Sequence, residues 1–259
     1  MYTVGIDIGS AFAKGALLAD QTLCESVVMP SGGDYRTTAK TIWEKIVANA
    51  GLSPEMVIRT IATGYGSQMA DCADGVKTDL ICHSRGVVFA CPSVRTAVDV
   101  GDCASRAFRI DARGRLVKFL LSGKCAGGSG RVLRVIAKVL RIELEALAGL
   151  SLAARGRVDF STSCAVFAES EAVSRLAEGV GAEELLAGMH RALAAQVNGL
   201  LQRLEIEDDF ALVGGGAQDA ALVAAMEEMI GRTVTVPPQP QLTAALGAAI
   251  IAQESATKH

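Results

Sequence analysis

Two short stretches of the sequence each place an aspartate, one apolar residue and a glycine at the end of an apolar run. The first is Asp7-Ile8-Gly9 and the second is Asp99-Val100-Gly101. A glycine at such a turn lets backbone N–H groups approach phosphate oxygens, and the adjacent carboxylate can hold Mg²⁺ or its water ligands. We therefore expect two phosphate loops, with Asp7 and Asp99 as catalytic carboxylates on either side of a nucleotide cleft.

A third glycine-rich turn, Gly214-Gly215-Gly216, follows an apolar run at residues 210–213 and is expected to lie against an adenosine. Two other common nucleotide motifs do not occur: the chain has neither G-x-x-x-x-G-K-[ST] nor G-x-G-x-x-G between a strand and a helix. Three glycine turns in this order predict a clamp made of two lobes.

The spacing of apolar residues predicts the elements that must position these turns. Strands are predicted at residues 2–8, 14–18, 25–29, 57–63, 97–101, 106–110, 116–121, 210–213 and 233–236. Helices are predicted at residues 37–49, 77–88, 131–147, 167–178, 182–204, 218–230 and 242–253. A module of strand, Asp-x-Gly turn, strand, turn and strand thus occurs twice, about 92 residues apart, which indicates an internal duplication.

The duplication predicts an α/β fold with two lobes. The N-terminal lobe, with the first phosphate loop, is expected at residues 1–97. The C-terminal lobe, with the second loop and the adenosine turn, is expected at residues 98–242. The last helix, about residues 243–259, is expected to pack back on the first lobe.

The composition excludes several functional classes. Half of the 259 residues are hydrophobic and a fifth are charged, so the chain can bury a large core. The net charge of −3 and the 4% aromatic content provide no basic patch or stacking platform, so no nucleic-acid or membrane partner is expected. No apolar run reaches the roughly 18 residues that a membrane-spanning helix needs, so no transmembrane segment is expected. Residues 1–7 lack a signal-peptide pattern, which favours a cytoplasmic protein.

Several motifs carry a resemblance to a known family. Residues 5–10 with Lys14 look like the first phosphate loop of the acetate kinase, sugar kinase, Hsp70 and actin superfamily. Further motifs resemble the activator ATPases of 2-hydroxyacyl-CoA dehydratases and the related ATPase subunits of benzoyl-CoA reductase. These motifs are residues 63–66, 123–131, 164–171 and 241–249. The resemblance covers essentially the whole chain and implies a duplicated ribonuclease H-like fold of the actin and Hsp70 type, with the nucleotide cleft between two lobes.

The resemblance also implies that ATP or ADP and Mg²⁺ are cofactors. Asp7 and Asp99 would then organise the metal ion and its waters. The residues expected to contact the nucleotide are Gly9, Ser10, Lys14, Gly101, Gly214, Gly215, Gly216 and Gln241.

The chain has seven cysteines and no C-x-x-C pair, so no disulfide framework is expected, and Cys24, Cys82 and Cys91 are predicted to be buried apolar residues. Cys125 and Cys164 differ because each precedes a predicted helix N-terminus, where backbone N–H groups favour a negatively charged cluster. A [4Fe–4S] cluster needs four thiolates, and one chain offers two in such positions. The resemblance implies one cluster that bridges two subunits, with Cys125 and Cys164 of each subunit as its ligands.

The second phosphate loop departs from the family's pattern, which usually reads Asp-hydrophobic-Gly-Gly-Gln-Asp-x-Lys. Asp99 and Gly101 are retained, but Cys103 stands in the Gln position and Ala104 in the second Asp position. A cysteine cannot orient an attacking water as a glutamine amide can. Asp102, one residue earlier, is the candidate to take that catalytic role, and hydrolysis is expected to be slow if it does not.

The resemblance implies an ATP-dependent iron–sulfur protein that couples ATP hydrolysis to the delivery of low-potential electrons. The resemblance implies a homodimer, or a heterodimer with a paralogous subunit. It also implies an acyl-CoA dehydratase or reductase as electron acceptor and a ferredoxin or flavodoxin as donor. Two alternatives stay open, a small-molecule kinase of the same superfamily and a nucleotide-sensing subunit with weak hydrolysis. The kinase would need substrate-specific inserts, for which 259 residues leave little room.

Overall fold

The computed structural model describes residues 1–122, 128–160, 165–207 and 209–257. Its strands are β1 (Tyr2–Ile8), β2 (Phe12–Ala19), β3 (Thr22–Pro30), β4 (Val57–Thr63), β5 (Gly75–Val76), β6 (Thr96–Val100), β7 (Ser105–Ile110), β8 (Leu116–Leu121) and β9 (Phe210–Val213). Its α-helices are α1 (Tyr35–Asn49), α2 (Asp79–Ala90), α3 (Arg131–Leu140), α4 (Leu147–Ala153), α5 (Ala165–Ala177), α6 (Ala182–Leu204), α7 (Ala220–Ile230) and α8 (Thr243–Ala256). Across the described residues, none of the helices is both long enough and apolar enough to span a bilayer.

Two sheets carry the same strand order. The first runs β3-β2-β1-β4-β5 and the second runs β8-β7-β6-β9. The central strand of each sheet pairs in parallel with the strand that precedes a glycine turn, β1 with β4 and β6 with β9. Thr235 forms an isolated parallel bridge to Ala211 of β9, in the position that β5 occupies beside β4. The internal duplication predicted from the sequence is therefore confirmed.

Contacts within the chain group it into two units, of which the first comprises Met1–Arg95, Arg109–Val117 and the described residues from Pro237 onward. In this unit β1 is buried on both faces. Its apolar residues share one cluster with Ile42 and Ile46 of α1. On the other face α8 packs closely, and Thr3 Oγ1 donates a hydrogen bond to Ala249 O at 3.1 Å. The alanine-rich sequence of α8 permits this short distance between helix and strand.

The second unit comprises Thr96–Phe108 and Lys118–Val236. Val98 and Val100 of β6 belong to its apolar core together with Ile136 of α3 and Leu193 of α6. Because successive side chains of a strand point to opposite faces, Asp99 lies on the face opposite these two valines. The core therefore fixes β6 in register and, with it, the carboxylate at its end.

The structure differs from the predicted elements in three places. The helix predicted at residues 131–147 ends at Leu140, because Arg141 takes a left-handed conformation with φ of +56° and Ile142 N–H donates to Ala137 O at 3.1 Å. A second helix, α4, begins at Leu147. The strand predicted at residues 233–236 is reduced to the single bridge at Thr235, and the two-residue strand β5 was not predicted.

Candidate functional site

The first phosphate loop follows β1, and β2 places a lysine beside its aspartate. Asp7 and Lys14 face each other in the antiparallel β1–β2 pair, and Lys14 Nζ donates to Asp7 Oδ2 at 2.9 Å. The two side chains are only 10% and 15% exposed, so solvent screens their attraction incompletely. The turn closes with Gly9 N–H donating to Phe12 O at 3.1 Å, and Ser10 occupies the next position. Four of the predicted site residues thus lie at one turn.

A serine that the sequence patterns did not identify anchors this loop. Ser31 Oγ donates to Gly9 O at 2.6 Å, and Ser31 N–H donates to Ala11 O at 2.9 Å. Ser31 is fully buried, and its own carbonyl accepts from Thr38 Oγ1. Because Ser31 follows the third strand, only the folded sheet brings it to the loop. It restricts the backbone of the loop before any ligand binds.

The second phosphate loop repeats this geometry with an arginine in place of the lysine. Arg106 NH1 donates to Asp99 Oδ2 at 2.6 Å, and Gly101 N–H donates to Ala104 O at 3.1 Å. The Asp99 side chain is 5% exposed. In each loop the cation lies seven residues after the aspartate. The guanidinium stays charged at every accessible pH and has several N–H donors.

Each aspartate packs against a glycine turn that follows the neighbouring parallel strand. Gly64 and Gly214 have φ of +88° and +83°, a region that favours glycine. A Cβ on Gly64 would overlap with Asp7 Oδ1, and a Cβ on Gly214 would overlap with Asp99 Oδ1. The predicted residue Gly214 therefore supports Asp99. Its counterpart Gly64 was not identified as a site residue, although the duplication indicates it.

We expect Gly214→Ala to lower the free energy of unfolding by about 2–4 kcal/mol, because a left-handed alanine costs ~1–2 kcal/mol and its Cβ would also displace Asp99. Urea denaturation monitored by circular dichroism measures the loss. Gly215→Ala is the matched control, since a Cβ at Gly215 meets no atom within 4 Å. Equal stabilities of the two variants would contradict this role of Gly214.

A partly buried hydrogen bond between Asp219 and His190 links the residues after the third glycine turn to α6. Asp219 caps α7 by accepting from Ala221 N–H and Leu222 N–H, and its Oδ2 lies 3.0 Å from His190 Nε2. His190 Nδ1 lies 2.9 Å from Leu186 O, which can only accept, so Nδ1 carries a proton. Burial opposes the charge on Asp219, but the hydrogen bonds from His190 and from the helix N–H groups outweigh it. The pKa of Asp219 is therefore lowered.

Gln241 precedes α8 in the 3₁₀ turn Pro240–Leu242. Its Oε1 is buried and has no hydrogen-bond partner among the described residues. A buried acceptor without a donor costs roughly 1–3 kcal/mol. This amide oxygen can therefore accept a hydrogen bond from a bound ligand.

Asp102, the candidate water acceptor, is held by two arginines of the first turn of α3. Its Oδ2 lies 3.0 Å from Arg131 NH2 and its Oδ1 lies 2.6 Å from Arg134 NH2. Arg131 NH2 also lies 2.9 Å from Cys103 Sγ. The residues that distinguish this loop thus form one charged cluster with the start of α3.

Hydrogen bonds from the second phosphate loop reach both ends of the segment 123–127. On the N-terminal side, Ser105 N–H donates to Ser122 Oγ at 2.9 Å, and Ser122 N–H donates to Ser105 O at 2.8 Å. On the C-terminal side, Ser129 Oγ donates to Asp102 O and Gly130 N–H donates to Gly101 O, each at 2.8 Å. Residues before and after this segment are therefore tied to one loop.

The cysteines predicted to hold the cluster, Cys125 and Cys164, lie outside the described residues. Within the described ranges, no group of three or more His, Cys, Asp or Glu side chains could hold a metal ion. Cys82 is buried as predicted, and burial raises the pKa of its thiol to about 12. Cys24 is exposed, contrary to the prediction, because β3 is the outer strand of its sheet, and Cys91 is half-buried.

Comparison with known proteins identifies relatives along the whole chain. The 2-hydroxyisocaproyl-CoA dehydratase activator of Clostridioides difficile is 38% identical, over 99% of this chain and 96% of that protein. The (R)-2-hydroxyglutaryl-CoA dehydratase activating ATPase of Acidaminococcus fermentans is 36% identical, over 100% of this chain and 99% of that protein. One of the benzoyl-CoA reductase subunits of Thauera aromatica is 31% identical, over 88% of this chain and 83% of that protein.

Solved structures confirm the fold class. The Clostridium difficile activator with bound ADPNP superimposes with a TM-score of 0.94 at 37% identity, covering 100% of this chain and 96% of that one. A ROK family glucokinase from Streptomyces griseus superimposes with a TM-score of 0.63 at 12% identity, covering 98% of this chain and 100% of that one. The second likeness shows a shared fold alone. Residues 4–252 match the BadF/BadG/BcrA/BcrD ATPase family. Because this match and the 38% identical relative both extend over nearly the whole chain, the chain belongs to that family.

Proposed function

We propose that this protein is an ATP-dependent electron donor. In this proposal the two phosphate loops bind MgATP, and Cys125 and Cys164 of two subunits hold one [4Fe–4S] cluster. When bound, such a cluster supplies one-electron transfer at low potential. Relatives named as activators of 2-hydroxyacyl-CoA dehydratases and as part of benzoyl-CoA reductase support an acyl-CoA dehydratase or reductase as the partner.

The observation that carries the proposal is the set of hydrogen bonds between the second phosphate loop and both ends of the segment that contains Cys125. Ser105 bonds to Ser122 on one side of the segment, and Asp102 accepts from Ser129 on the other. A protein that couples nucleotide binding to a cluster needs a physical connection between the two sites. These bonds give a change in the loop a direct route to the residues flanking Cys125.

Asp7 and Asp99 have the chemistry that Mg²⁺ requires, because this ion prefers oxygen ligands and is bound by carboxylates together with substrate phosphates. Lys14 and Arg106 hold the two carboxylates in place and add the positive charge that a triphosphate needs. A Cβ at Gly9 would meet Phe12 O at 2.6 Å, and a Cβ at Gly101 would meet Ala104 O at 3.0 Å, so the close turn of each loop favours glycine. Binding of ADPNP by the related activator supports ATP as the nucleotide.

Two subunits are part of the proposal, because one chain supplies two of the four thiolates. They are two copies of this chain, or this chain with a paralogous subunit. We further propose a ferredoxin or flavodoxin as the electron donor.

A second candidate function, a nucleotide-sensing subunit with weak hydrolysis, is favoured by the same charged cluster. Both Asp102 oxygens lie within ion-pair distance of arginines. The carboxylate is therefore already paired and is a poor proton acceptor for an attacking water. Neither the Cys103 thiol nor the Ala104 methyl group can orient the water in place of this carboxylate. Binding of ATP with little turnover is the property that separates this candidate from the first.

Anaerobic purification followed by iron, sulfide and nucleotide assays tests the proposed function. An electron donor should contain about two iron atoms per chain, half of a shared four-iron cluster, and should hydrolyse ATP. Iron-free protein that phosphorylates a small molecule would be a kinase, and nucleotide binding without turnover would indicate a sensor. Absence of iron after anaerobic reconstitution would exclude the electron donor.

Restoring the family residues, Cys103→Gln together with Ala104→Asp, is expected to accelerate steady-state ATP hydrolysis roughly tenfold, or about 1.4 kcal/mol of barrier. A glutamine amide can orient the attacking water, whereas a thiol donates and accepts weakly. Cys91→Gln, a matched thiol-to-amide change outside the loops, should leave the rate unchanged. A double variant no faster than the native chain would show that water positioning does not limit this loop.

A further inference from the structure

The ion-pair cluster around Asp102 joins the second phosphate loop to α3 through side chains as well as through the backbone. The Asp102 side chain is 13% exposed and lies within 3.0 Å of both Arg131 and Arg134. The two arginines are about 40% exposed and stand one turn apart on the helix. One carboxylate therefore faces two guanidinium groups.

The position of the cluster in the chain determines what it can transmit. Asp102 follows Gly101, whose carbonyl accepts from Gly130 N–H. Arg131 is the first residue of α3, which begins four positions after the segment 123–127. A displacement of the Asp102 carboxylate therefore acts on the helix turn that directly follows this segment.

We propose that Asp102 is a positioning residue, which transmits the nucleotide state of the second phosphate loop to the Cys125 segment by holding Arg131 and Arg134. The inference rests on the proposed function in that it takes this loop as part of the ATP site. A phosphate bound at the loop competes with Asp102 for the two guanidinium groups, because like charges repel and arginine pairs readily with phosphate. ATP and ADP differ in the charge they present, so they shift the pairing to different extents.

This role differs from accepting a proton from the attacking water. A general base needs an oxygen that can reach the water, and both Asp102 oxygens lie against arginines. The positioning role uses these ion pairs, whereas the catalytic role would have to break at least one of them. Asp102→Asn, which keeps the shape and removes the charge, therefore separates the two roles.

The test measures the alkylation rate of individual cysteines by iodoacetamide in the full-length, cluster-free protein with MgADP or with the Mg²⁺ complex of ADPNP. Peptide mass spectrometry reads each cysteine separately. In the native chain we expect the rate at Cys125 to differ at least about fivefold between the nucleotides. Cys24, which is exposed, and Cys82, whose thiol pKa is raised to about 12, are internal references that should not respond.

In Asp102→Asn and in Arg134→Gln, each measured at saturating nucleotide, the nucleotide dependence at Cys125 should fall below about twofold. Asp102→Glu should retain the response. The double variant, Asp102→Asn with Arg134→Gln, should lose no more of the nucleotide dependence at Cys125 than either single variant, because both substitutions break the same ion pair.

Three results would overturn the inference. They are no nucleotide response in the native chain, a native-like response in Asp102→Asn, and loss of nucleotide binding in that variant. Iron is absent from the assay, so the outcome is independent of the cluster. A chain that never binds iron but shows the Asp102-dependent response would contradict the electron-donor function and leave the positioning role intact.

Discussion

Cys125→Ser and Cys164→Ser are each expected to reduce bound iron from about two atoms per chain to near zero. Serine is a poor ligand for iron in a cluster of this type, and a bridging cluster that loses a thiolate from both subunits keeps only two. Iron and acid-labile sulfide in anaerobically reconstituted protein measure the effect. The same variants should weaken subunit association, which sedimentation velocity detects.

Cys24→Ser is the matched control, because Cys24 is exposed on the outer strand β3 and lies in neither cysteine motif. It should bind as much iron as the native chain. Full iron content in Cys164→Ser would refute the bridging arrangement. Loss of iron in Cys24→Ser as well would show that reconstitution, and not ligation, limits the assay.

Asp7→Asn and Asp99→Asn are each expected to weaken binding of MgATP about 100-fold, or ~2.7 kcal/mol. Each change removes a buried negative charge that would organise Mg²⁺ and leaves Lys14 or Arg106 without its anionic partner. Isothermal titration with the Mg²⁺ complex of ADPNP measures the affinity. Because the two loops have the same geometry, the two losses should be similar in size.

Asp111→Asn is the control for this pair of variants, since Asp111 lies in the turn between β7 and β8, outside both loops. It should bind the nucleotide with native affinity. Gly215→Val tests the third turn by adding bulk where the adenosine is expected, in a position that is open in the fold. Native titration curves for Asp7→Asn and Asp99→Asn together would exclude the two-loop site.

Local sequence patterns predicted the features that depend on neighbours along the chain. The alternation of β1 and β2 around a tight turn places Lys14 opposite Asp7, because the register of a hairpin follows from its turn. Arg106, which was not predicted as a site residue, takes the same place beside Asp99 in the second loop. Comparison of the two repeats also indicates Gly64 as the counterpart of Gly214. Each glycine follows a strand that pairs in parallel with the strand carrying the Asp-x-Gly turn.

Features that depend on distant parts of the chain could not be predicted in this way. Ser31 reaches the first loop only through the folded sheet, and no local pattern marks it. The break after α3 was not predicted because the residue that ends the helix is Arg141, and no glycine or proline marks the end. The apolar spacing also continues across the break, since Leu147 of α4 packs in the same core. The pairing of Asp102 with Arg131 and Arg134 likewise depends on tertiary contact.

The central claim, that nucleotide state controls a cluster held by this chain, is tested most directly by the rate at which bathophenanthroline disulfonate removes iron from the anaerobic protein. The second phosphate loop is bonded to residues on both sides of the Cys125 segment, so its nucleotide state should alter access to the iron. We predict chelation with MgATP at least about fivefold faster than with MgADP. Equal rates with MgATP, with MgADP and without nucleotide would contradict the claim.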